Sequence, residues 1–195
     1  MDVNNLQARL DRIHYAKNSR IDVDYRKYIQ VTRLEKGVQV TLPGNIDPVK
    51  MENDILSILH TLATMKDHLK SQLHARGQNK KNVEDAIENS LHLKVLIDLV
   101  NSDKHTYPTT SNRSGKNPVL KEMSYTLIDN SQGTEMVVAT IGPEGEFGIA
   151  QGPSPSVALF ANIFDEQGNY LFTFDELVET SYTLWRSIAT DYNLI

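Results

Sequence analysis

Ser90-Leu-His-Leu-Lys-Val-Leu-Ile-Asp-Leu-Val-Asn-Ser-Asp-Lys-His105 reads as an apolar helix with one polar stripe cut into it. At about 100° per residue, Lys94, Asp98, Asn101 and His105 fall in one arc, while Leu93, Leu96, Ile97, Leu99 and Val100 cover most of the remaining circumference. A helix apolar on nearly every side is a buried helix. Burying Asp, Asn and His without partners costs on the order of several kcal/mol, so the stripe must face polar groups, a bound ion or ligand, or a water-filled cleft. That makes it the leading candidate for a site.

Working outward, Asp47 followed by Pro48 supplies an N-cap and a first-turn proline, and helical periodicity then runs to about Ala75 before Gly77 stops it. Asn82 is expected to cap the next helix, which continues through Asn101 to His105 and ends ahead of Tyr107-Pro108. Two antiparallel helices joined by a short polar loop result. Ahead of them, Leu6, Leu10 and Ile13 predict a short amphipathic helix over residues 3–18. Tyr28–Leu34 and Val38–Leu42 flank Glu35-Lys36-Gly37 as a β-hairpin with Gly37 giving the turn geometry.

Beyond the helices, residues 106–118 are rich in turn formers and hydroxyls, and are expected to make a mobile flap beside His105. The period then changes from helical to alternating. Met123–Ile128, Thr134–Ile141, Ser156–Phe164 and Asn169–Phe172 read as strands of a small antiparallel sheet, turning at Asn130–Gly133 and Asp165–Asn169. Gly142–Pro155 is a longer Gly/Pro loop. Thr173 with Glu176 makes a capping-box pattern before a last amphipathic helix carrying Leu177, Val178, Leu184, Trp185 and Ile188, with Trp185 anchoring it in the core or at a dimer interface. The class is α+β: an antiparallel helical hairpin or bundle packed with a small antiparallel β-sheet. Residues 1–195 form one domain, with a helix and hairpin in 1–46, the helical hairpin in 47–105, the strands in 119–172 and the last helix in 173–195.

The composition, 39% hydrophobic and 23% charged over 195 residues, is that of an ordinary soluble protein. A net charge of −5 gives no global attraction to nucleic acid or anionic membrane. The lack of cysteine excludes disulfides, thiolate metal sites, iron–sulfur clusters and a Cys nucleophile, and a reducing cytoplasm is the expected location. Met1–Arg9 lacks an apolar signal core, and no run approaches the roughly 18 apolar residues of a membrane span.

The first long helix offers a second stripe, His60, Thr64, Asp67 and Ser71, opposite Ile55, Ile58, Leu62, Met65, Leu69 and Leu73. Turned to solvent it is an ordinary surface. Turned toward Lys94, Asp98, Asn101 and His105, it makes a site. Three readings of such a site stand side by side. A histidine with a nearby lysine serves metal-free RNA cleavage, the imidazole exchanging protons while the cation offsets phosphate charge. His60, Asp67, Asp98 and His105 suit a divalent ion by donor type, but no His-Glu-x-x-His or Glu-x-x-His accompanies them, and no metal or other cofactor is expected. In the third reading the polar groups satisfy one another and the helix ends. Lys66, Lys70, Arg76, Lys80 and Lys81, with Arg113 and Lys116, are the phosphate contacts should RNA bind.

Asn101-Ser-Asp-Lys104-His105 at a helix end resembles the Arg-x4–6-His segment of HEPN domains, small helical and usually dimeric proteins of toxin–antitoxin and phage-defence systems, many of them metal-independent ribonucleases. The resemblance implies a catalytic His105 oriented by Asn101. The family's arginine is absent, with Val at position 100 and Lys at 104, so Lys104 would supply the cation. His60-x6-Asp67-His68-Leu69-Lys70 followed by Asp98-x-x-Asn101-x-x-Lys104-His105 is similar to a pattern in uncharacterised bacterial and phage-borne proteins, over roughly residues 50–110, and implies no activity. Two functions are therefore expected. One is a non-enzymatic binding or assembly protein of bacterial or phage origin, with a buried polar interhelical network and an unidentified protein partner or a second copy of the chain. The alternative is a HEPN-like ribonuclease in which His105, Asn101, Lys104 and Asp98 act on RNA and His60, Asp67 and Lys94 support them.

Overall fold

The computed structural model describes residues 6–18, 30–34, 37–41, 48–105, 112–129, 138–141 and 155–195. The described elements are α1 (Leu6–Asn18), β1 (Gln30–Leu34), β2 (Gly37–Thr41), α2 (Pro48–Ala75), α3 (Lys81–Glu88), α4 (Leu91–His105), β3 (Val119–Asp129), β4 (Val138–Ile141), β5 (Pro155–Phe164), β6 (Tyr170–Thr173) and α5 (Phe174–Asp191). This is an α+β fold, as the change of period along the chain implies. Strand order is β4-β3-β5-β6, with β1 and β2 forming a separate hairpin. The pairings β1/β2, β3/β4 and β5/β6 are antiparallel.

The sequence places all 195 residues in one domain; by contacts the chain groups into two compact units. One comprises Met1–Ser19, Asp54–Lys121 and Ala161–Ile195, and the other Arg20–Asn53 and Glu122–Phe160. The second unit holds the β1–β2 hairpin, in register from Gln30↔Thr41 to Leu34↔Gly37, and the β3–β4 pair. Gly37 is thus a paired strand residue rather than the turn itself, while Glu35 and Lys36 lie outside the described residues.

The first unit carries the helices. Ile55, Leu59, Leu62, Met65, Leu69 and Leu73 bury one face of α2 at three- and four-residue spacing, with Leu59 in the core and Ile58 half-buried. In α4, residues 95–100 are buried without a break, so the middle of this helix is enclosed on every side, as its composition dictates. α5 packs against both α1 and α4, and α3 against α4. Along α5 the buried face runs through Phe174, Leu177, Val178, Ser181, Trp185, Ile188 and Ala189, with Trp185 fully enclosed. Thr173 caps it, its hydroxyl accepting the Glu176 N–H at 3.0 Å.

Two expectations about the helices need correction. The second helix is broken: α3 ends at Glu88 and α4 starts at Leu91. The cause is Asn89-Ser90, residues that bond to the backbone in preference to continuing a helix. The Ser90 N–H turns back to the Ile87 carbonyl at 3.1 Å, and the Ser90 hydroxyl accepts the Leu93 N–H at 3.3 Å, opening α4. Asn82 lies inside α3, and it is Asn79 whose side-chain oxygen accepts the Lys81 N–H at 2.9 Å. The Asp47 cap lies outside the described residues.

Candidate functional site around Asp98

Asp98 sits near the middle of α4 and is 2% exposed. Its Oδ1 accepts the Arg113 N–H at 2.8 Å, and its Oδ2 accepts the Ser114 N–H at 2.7 Å. One carboxylate thus spans two successive amides of a loop fifteen and sixteen residues further on, the kind of charged hydrogen bonding that makes burial of an acid tolerable. Described residues 112–118 of the segment expected to be a mobile flap are held in this way, whereas residues 106–111 lie outside the described part. Gly115 (φ 68°) and Asn117 (φ 45°) occupy the left-handed region, which lets the loop wrap around the carboxylate.

The bonds continue on both sides of the clamp. Arg113 Nη1 reaches Glu84 Oε2 at 2.6 Å and Glu88 Oε1 at 3.1 Å, tying the loop to α3, and Glu84 also pairs with Lys70 of α2. Burial, then Lys66, press on the Lys70 ammonium and lower its pKa; Asp67 opposes them, and Arg113 and Lys80 add to the lowering. In the other direction Asn112 bonds to Asn117, whose Nδ2 donates to Glu166 Oε2 at 2.6 Å, and the Glu166 N–H donates to the Lys116 carbonyl at 3.2 Å. Glu166 belongs to the β5–β6 turn. There Asp165, 2% exposed, accepts the Asn169 N–H at 2.8 Å and the Gln167 N–H at 3.1 Å, around Gly168 at φ 84°. The Asn169 side chain, the largest contributor, and these amides hold the Asp165 carboxyl below its ordinary pKa.

The remaining residues singled out in the sequence do not gather at Asp98. Lys94 and Asn101 are half-buried on α4, Lys104 is exposed, and the His105 side chain lies outside the described residues. α2 does reach α4, but His60 Nε2 meets Asp103 Oδ2 at 2.6 Å. Asp103 lies about 140° round the helix from Asp98, so His60 and the Asp98 carboxylate serve different contacts. Asp67 is 71% exposed, with Lys66 Nζ 3.9 Å away. The contact that joins α2 to α4 here thus runs from His60 to Asp103, a residue outside the Lys94–Asp98–Asn101–His105 stripe. Among the described residues no group of three His, Asp or Glu side chains is placed to hold a metal ion.

The basic run is largely matched by acceptors. Lys70, Lys81 and Arg113 face carboxylates, and Arg76 donates to the Asn193 carbonyl beyond the end of α5. Residues that sequence reasoning passed over include Asp103, Glu84, Glu88, Asn117 and Glu166. The run Asn112–Pro118, dense in turn formers, carried a local signal for the loop, but nothing local ties it to Asp98. Comparison with protein-family models, curated proteins and solved structures finds no match to this chain.

Proposed function

We propose that this chain is a non-enzymatic binding or assembly protein of bacterial or phage origin, in which the Asp98 network fixes the helices to the 112–117 loop and the β5–β6 turn. The observation that carries this reading is the commitment of both Asp98 oxygens to the Arg113 and Ser114 amides in a buried setting. A carboxylate that is buried and committed to two main-chain amides serves to hold the loop in place. The pairing of Lys70, Lys81 and Arg113 with carboxylates points the same way, because phosphate contacts require cations that are not already neutralised. The partner is a protein or a second copy of the chain.

The test is cleavage of a mixed RNA pool, in EDTA, by the wild type and by His105→Ala, with thermal melting of both. Neither protein should cleave. Wild-type cleavage that disappears in His105→Ala while its melting temperature holds would replace this reading with a metal-independent ribonuclease using His105, Asn101 and Lys104.

A further inference from the structure

We draw no further inference here: the strongest candidate, the surface patch on β5 and β6 where the exposed Tyr170 ring meets the Phe164 ring at 79° and 5.9 Å and the Lys121 ammonium of β3 lies 5.7 Å from the centre of the Phe164 ring, carries none because nothing among the described residues shows what covers it.

Discussion

Asp98 is held by its surroundings through both carboxylate oxygens. Asp98→Ala leaves two loop amides without their acceptor, so its stability in urea should fall by about 3 kcal/mol, and Asp98→Asn, which keeps one acceptor oxygen, should lose less. A loss below about 0.5 kcal/mol for the alanine variant would mean that water replaces the clamp. Ser181 is the opposite case. Its hydroxyl and the Trp185 Nε1, one turn apart on α5, are buried without a hydrogen-bond partner among the described residues. An unsatisfied hydroxyl detracts from stability, so Ser181→Ala should be neutral or more stable by about 1 kcal/mol in the same urea series. The half-exposed His60–Asp103 pair is of the surface kind that contributes little.

At the scale of elements, short polar signals decide where helices start and stop. Ser90 separates α3 from α4, and Ser90→Ala should cost about 1 kcal/mol through loss of the Leu93 cap. Gly168, at φ 84° in the β5–β6 turn, has open space around the position of a Cβ, so Gly168→Ala should cost about 1 kcal/mol through backbone strain alone. Urea unfolding of both variants checks these values, and an unchanged midpoint for Ser90→Ala would show that Asn89 and the Ile87 carbonyl suffice to open α4. These elements were legible to different degrees. The α2 start at Pro48, the α5 cap at Thr173 and the β5–β6 turn carry their determinants within a few residues. The Asn89-Ser90 break is hidden in the sequence because the apolar period on either side continues through it. Asn82 does not cap α3: Lys80 occupies the cap position, and the Asn79 side chain accepts the Lys81 N–H.

At the scale of the whole molecule, charge is arranged rather than merely balanced, and pH reveals it. Burial holds the folded pKa of His68 below its ordinary value near 6.5, so the unfolded chain binds more protons in the window between the two. Its contribution is present above that window and is lost as pH falls through it. Asp165 behaves in the same sense below its ordinary value near 3.8, held by Asn169 and the turn amides. Denaturant unfolding should therefore show stability falling in two stages on acidification. His68→Gln should remove the first stage and leave the second, and persistence of both stages in that variant would assign the first to another group. No described helix is long and apolar enough to cross a membrane. The sequence by itself determined the α+β class, the enclosure of α4 and the need for Asp98 to have polar partners. Those follow from periodicity and desolvation, which act residue by residue. Only the tertiary structure decided that the partners are the Arg113 and Ser114 amides and that His60 meets Asp103. Such pairings depend on the rotation and register of helices distant in sequence, and a shift of one residue exchanges one polar neighbour for another.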